Sequence, residues 1–147
     1  MQTNNKLIVK IENEQHIVQA RSATRNVARD LGFNKLDENR ITTVVSELAR
    51  NIYLYSADGY IQIEPIDSGH IKTVVITAKD QGPGIEDIKK VMEVGFSTSG
   101  GLGAGLPGVK RLMDEFKINS EVGFGTEIVT KKSIHVLKQK FHYEIRS

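Results

Sequence analysis

The sequence contains no cysteine, which excludes disulfides, thiolate metal sites and cysteine nucleophiles. It has no long apolar run near Met1. There is thus no sign of an export signal or a membrane span, and a cytoplasmic location is expected. A large excess of one charge is missing too, since 20 basic and 18 acidic residues leave a formal charge of +2. That is too near neutral to argue for nucleic acid. The basic residues gathered toward the end of the chain, Lys131, Lys132, Lys138, Lys140 and Arg146, read as a solvated face. Repeats, linkers and low-complexity segments are absent as well. A single domain spanning 1–147 is expected, and at 39% apolar content it is large enough to bury roughly 70% of the surface its unfolded chain would expose. Finally, no Gly-Lys-Ser/Thr occurs anywhere, so phosphate binding by a P-loop is excluded.

What the chain does contain is clear periodicity. Apolar alternation over Lys6 to Ile11 predicts an opening strand. Between Glu14 and Leu31, Ile17, Ala20, Val27 and Leu31 fall on one helical side, and Gly32 stands where that helix would end. Asp37 is expected to cap a second helix, whose apolar stripe is Ile41, Val44, Val45, Leu48, Ile52 and Tyr55. Tyr60 to Ile66 and Ile71 to Ala78 read as a hairpin about Asp67-Ser68-Gly69. Glu86 to Val94 and Leu106 to Phe116 are expected as helices, and Lys117 to Val122 and Thr126 to Lys131 as a closing hairpin. The order βααββααββ predicts an α+β sandwich with helices on one face of a mixed sheet.

Four short motifs carry the chemistry. Glu47 and Asn51 stand at i and i+4, so their side chains lie one above the other at the flank of the apolar stripe. A carboxylate there can take a proton from an attacking hydroxyl, and an amide oxygen suits Mg²⁺, which prefers hard oxygen ligands. Alone, the pair is also what an ordinary solvated helix face carries. Asp80 ends a strand and precedes Gly82 and Gly84. Such an Asp can simply cap a turn. It can also accept from the exocyclic amine of adenine and repel the carbonyl of guanine, while the two glycines let backbone approach the ring. Six of the thirteen glycines lie between Gly95 and Gly108, together with Ser97, Thr98 and Ser99. Their backbone N–H groups could order around a triphosphate in the manner of a lid. A helix beginning near Leu106 would point its positive end at the phosphates, with Lys110 and Arg111 as supporting charges or as an exposed basic face. Gly103, Gly105 and Gly108 also match a dinucleotide fingerprint. That reading fails, because no strand precedes them and no βαβ unit surrounds them.

Taken together, Glu47 to Asn51, Asp80 to Gly84, Gly101 to Leu106 and Gly123 to Thr126 resemble the N box and the three G boxes of the GHKL ATPase superfamily. The resemblance spans nearly the whole chain. It implies the Bergerat ATP-binding fold, and small size places the chain near the bacterial anti-sigma-factor-type serine/threonine kinases, including the switch kinases of stress-signalling complexes. It further implies that Asp80 binds the adenine amine, that Gly82, Gly84 and Thr126 line the base pocket, that Asn51 holds Mg²⁺ and that Glu47 is the catalytic base. Ser97, Thr98, Gly101, Leu102, Gly103, Ala104, Gly105 and Leu106, in a lid over about 95–106, would wrap the triphosphate of ATP. The implied substrates are STAS-domain scaffold proteins, and the implied activated partner is a PP2C-type phosphatase. Two rivals share the pocket. One is an anti-sigma factor that sequesters a sigma factor, and the other is a nucleotide-binding module with little catalysis.

Overall fold

The computed structural model describes residues 5–56, 58–93 and 105–136. Strand β1 (Leu7–Ile11) leads into helices α1 (Glu14–Leu31) and α2 (Lys35–Tyr55), which return the chain to β2 (Gly59–Asp67) and β3 (Ile71–Asp80). Helices α3 (Ile88–Val91) and α4 (Gly105–Leu112) precede β4 (Glu115–Glu121) and β5 (Gly125–His135). The strands form a five-stranded sheet in the order β1-β2-β3-β5-β4.

The expected mixed sheet is corrected, because every adjacent pair is antiparallel. The reason is topological. The α1–α2 pair carries the chain out and back, so β2 runs against β1. Strands β3 and β4 do run the same way, but β5 lies between them and pairs antiparallel with both. Four boundaries also move. Asn34, not Asp37, caps α2 by accepting from the Asp37 N–H at 2.8 Å, while Asp37 pairs with Arg40 at 3.0 Å. Helix α3 is only four residues long because Asp87 caps it within the expected span, accepting from the Lys90 N–H. Helix α4 stops at Leu112, since Asp114 N–H donates to Lys131 O at 2.9 Å and starts the β4 ladder, in which Phe116 pairs with Thr130. Strand β5 continues past Lys131 to His135 because β3 offers partners as far as Ile71. Gly32 ends α1 as expected, with φ 98° and its N–H on Arg29 O.

Helices α1 and α2 cover one face of the sheet. Ile17, Ala20, Ala28 and Leu31 of α1 and Ile41, Val44, Val45, Leu48 and Ile52 of α2 meet Ile61, Ile63, Val74, Ile76, Ala78 and Ile128 of the strands. At about 1.5–3 kcal/mol for each large apolar side chain removed from water, this layer holds α2 firmly against the sheet. A charged staple locks the two helices together. The buried Glu38 carboxylate lies 3.3 Å from both Arg25 and Arg29 and 3.9 Å from Lys35. Burial by itself raises the Glu38 carboxyl, but hydrogen bonding to Arg29, the charges of Arg29 and Lys35 and the Arg25 bond outweigh it and hold the group below the usual glutamate range.

At the far end of α2 the backbone packs too closely for side chains. A Cβ at Gly125 (φ 104°) would lie 2.0 Å from Asp80 O, and one at Gly84 (φ 81°) would lie 2.3 Å from Glu121 O. Gly123 has a similar φ of 85°, yet nothing lies within 4 Å of its would-be Cβ.

Two expectations follow. Because the folded pKa of Glu38 lies below its unfolded value, its contribution is complete above the ordinary glutamate range and is lost as pH falls through the lowered value. Glu38→Gln should therefore destabilise the protein at neutral pH and flatten the acid limb of stability, as read from urea unfolding at pH 7 and in the acid range; an unchanged limb would contradict the staple. Gly123→Ala should cost about 1–2 kcal/mol for backbone strain alone, and Gly125→Ala about 2–5 kcal/mol because a clash is added. Denaturant unfolding of the two variants compares them directly, and equal costs would rule out the close approach.

Candidate functional site

The C-terminal half of α2, the end of β3, α3, the start of α4 and the start of β5 enclose a cavity of about 410 Å³, within the size range of small-molecule sites. Its walls are mostly apolar, formed by Leu48 and Ile52 of α2, Ala78 of β3, Ile85, Val91 of α3, Leu106 of α4 and Ile128 of β5. The polar groups are few and come from separate elements. Asn51 reaches it from α2, Asp80 from β3 and Thr126 from β5, while Glu86, Asp87 and Lys90 stand exposed at the mouth. A mostly apolar cavity with one carboxylate inside suits a heterocycle that carries an exposed donor.

Asp80 is set by the β3–β5 ladder, in which it pairs with Thr126. Its Oδ1 accepts from the Gly82 N–H at 2.8 Å. Burial pushes the Asp80 carboxyl above the usual aspartate range, the N–H groups of Gly82 and Thr126 offset part of that rise, and the Asp58 charge adds to it. Ser120 braces the floor of the site. Its hydroxyl accepts from Ile85 N–H at 2.8 Å, donates to Gly125 O at 3.1 Å and lies 2.8 Å from Thr126 Oγ1. Gly123 N–H adds a 2.8 Å bond to Pro83 O, tying the loop after β3 to the β4–β5 turn.

The sequence-based site is partly assembled here. Asn51, Asp80, Gly84, Gly105, Leu106 and Thr126 line one cavity. Gly82 sits behind it and orients the Asp80 carboxylate. A Cβ at Gly82 would lie 2.9 Å from that of Ser56, and one at Gly84 would strike Glu121, so the protein itself already requires both glycines. Glu47 does not line the cavity either. It lies one turn before Asn51 on α2, is only 6% exposed, and its Oε1 is buried with no hydrogen-bond partner among the described residues. Lys110 and Arg111 fall in the last turn of α4, away from the cavity wall. Ser97, Thr98, Gly101, Leu102, Gly103 and Ala104 lie outside the described residues. Sequence reasoning missed Ser120, Tyr55 and Lys90. Ser120 carries no local signal, since its role depends on two chain segments that meet only after folding, whereas Lys90 was discoverable from its place just after the Asp80 motif.

Residues 36–136 match the family described as histidine kinase-, DNA gyrase B- and HSP90-like ATPases. The chain is 62% identical over 125 residues to the serine/threonine-protein kinase RsbT of Bacillus subtilis, covering 85% of this chain and 94% of that protein. It is 34% identical to the anti-sigma F factor of Geobacillus kaustophilus, covering 88% of this chain and 97% of the relative. The anti-sigma F factor of Anoxybacillus flavithermus is 38% identical, with 71% of this chain and 75% of the relative covered. No helix among the described residues is long and apolar enough to cross a membrane. A nucleotide-sized cavity, a half-buried Asp at the end of β3 and a family match across both belong together: the chain is a member of the histidine kinase-, DNA gyrase B- and HSP90-like ATPase family, of the serine/threonine-protein kinase type.

Proposed function

We propose that the cavity binds Mg-ATP and that the chain transfers the γ-phosphate to a serine or threonine of a STAS-domain scaffold protein in a cytoplasmic stress-signalling complex. The observation that carries this reading is the convergence of Asn51, Asp80, Thr126 and Leu106 from four elements on one cavity, with Glu47, one helical turn from Asn51, keeping a buried Oε1 that has no hydrogen-bond partner among the described residues. In this reading Asp80 accepts the adenine amine while Gly82 N–H holds the carboxylate in place, and Gly84 and Thr126 border the base. Asn51 is the Mg²⁺ ligand, and Mg²⁺ supplies charge neutralisation of the phosphates. The lid over about 95–106, ending at Gly105 and Leu106, encloses the triphosphate. Glu47 takes the hydroxyl proton as the new O–P bond forms and the bond from the γ-phosphorus to the ADP oxygen breaks. Release from the phosphorylated scaffold then frees the kinase to activate a PP2C-type phosphatase. The similarity to anti-sigma F factors favours a second reading, in which the same pocket serves a protein that sequesters a sigma factor.

Transfer of labelled phosphate from ATP to a STAS protein, set beside pull-down of a sigma factor, separates the two: transfer is expected, and sigma-factor capture without transfer would replace the kinase reading. Within the kinase reading, Glu47→Ala should keep Mg-ATP affinity and lose about 10²–10⁴-fold in transfer, whereas Asn51→Ala should weaken Mg-dependent binding itself. Equal loss of binding in both folded variants would remove Glu47 as the base.

Asp80 offers a separate test. Its folded pKa lies above the unfolded one, so the ionised carboxylate costs the fold stability above the ordinary aspartate range, a cost relieved as pH falls through the raised value. Asp80→Asn keeps an acceptor for Gly82 N–H. It should lose about 1.5–3 kcal/mol of ATP binding while unfolding at no lower denaturant concentration near pH 7. Calorimetry showing unchanged ATP affinity would withdraw the adenine contact.

A further inference from the structure

Lys90 is the only cation that lines the cavity among the described residues. It belongs to α3, which packs against α4, and the first residues of α4, Gly105 and Leu106, line the same cavity. Its main chain is held in place. Its N–H donates to Asp87 Oδ1 at 3.1 Å, and its carbonyl accepts from Glu93 N–H at 3.1 Å. Its ammonium, by contrast, makes no ion pair or hydrogen bond among the described residues. Glu86, the nearest acid before the Asp87 cap, lies outside α3 and forms no ion pair with Lys90 among the described residues. An anchored backbone carrying an exposed ammonium on the lining of a mostly apolar cavity is positioned for an anion entering that cavity.

We infer that Lys90 is a polyphosphate-binding residue, which pairs with the phosphate chain of a nucleotide whose base lies against Asp80. The inference rests on the nucleotide reading of the cavity. The physical argument is charge placement. Asp80, Glu86 and Asp87 put carboxylates at this cavity, so a triphosphate meets like charge at its mouth unless a cation offsets it. Asp87 is committed to capping α3. The dipole of the eight-residue α4, whose start lies on the same cavity, supports anions without supplying a full charge. Lys90 supplies that charge, and as a flexible point cation it can follow the phosphates as they are transferred.

The test is calorimetric titration of the full chain with adenosine, ADP and ATP in the presence of Mg²⁺, for the parent, Lys90→Gln, Lys90→Arg and Asp80→Asn. Lys90→Gln should weaken ATP and ADP by about 5–20-fold, a charge-assisted contact, and leave adenosine unchanged. Lys90→Arg should restore most of the loss, and ATP binding to Lys90→Gln should depend less on salt than binding to the parent. ATP affinity within twofold of the parent in Lys90→Gln, or an equal loss for adenosine, would overturn the inference. If Asp80→Asn weakens ATP while Lys90→Gln does not, only the role of Lys90 falls; if the parent binds none of the three ligands, the nucleotide reading falls with it.

Discussion

Everything at the candidate site depends on how closely β5 runs beside the end of β3. The ladder ends at the pair Asp80 and Thr126, and at the adjoining Gly125 no side chain fits because Asp80 O occupies the space of a Cβ. This approach places a carboxylate from one strand and a hydroxyl from another on a single cavity wall. It also brings Ser120 within reach of Ile85, Gly125 and Thr126, so one hydroxyl ties the loop after β3 to the closing hairpin. A looser crossing would leave each of these groups hydrated and apart.

Three acids, two buried and one half-buried, illustrate how the fold separates structure from chemistry. Glu38 is surrounded by Arg25, Arg29 and Lys35, and its charge is satisfied in place. Asp80 receives backbone N–H groups, but no ion pair reaches it among the described residues, and burial leaves its carboxyl raised. Glu47 has an oxygen with no partner among the described residues. Uncompensated buried carboxylates are costly to keep, and strain of this kind concentrates where a ligand is to be met. The contrast within a single helix is informative, since Glu38 and Glu47 both lie on α2 with less than a tenth of their surface exposed. Only Glu47, the one nearer the cavity, has a buried oxygen with no partner among the described residues.

Much of the fold was legible in the chain. Period-3.6 stripes named the buried faces of α1 and α2 except at Val27, which is only partly buried, and Tyr55, which is exposed, and Asp67-Ser68-Gly69 placed the β2–β3 hairpin, whose Asp67 carboxylate does receive Gly69 N–H. Boundaries were less legible where two local signals competed. Phe116 continues the apolar pattern of α4 but also begins the alternation of β4, and pairing with Thr130 decides in favour of the strand. Asp37 was expected to cap α2, but it is the Asn34 side chain that meets a free N–H, that of Asp37 itself. The glycines of the Asp80 motif were expected to admit a ring; the packing shows that Ser56 and Glu121 already demand them.

The sequence by itself determined the elements, the apolar faces and six of the cavity residues, Asn51, Asp80, Gly84, Gly105, Leu106 and Thr126, because periodicity and turn chemistry are local properties of the backbone. Only the tertiary structure decided the strand order, and with it that the sheet is antiparallel throughout, since placing β5 between β3 and β4 depends on contacts far apart in the chain. Only the tertiary structure decided which charges serve the cavity. Lys110 and Arg111 lie close in sequence to the glycine-rich stretch yet point from the far end of α4, while Lys90, on a helix fixed by its own Asp87 cap, stands at the mouth. Electrostatic influence falls off over a few ångströms in space, and separation along the chain does not measure that distance.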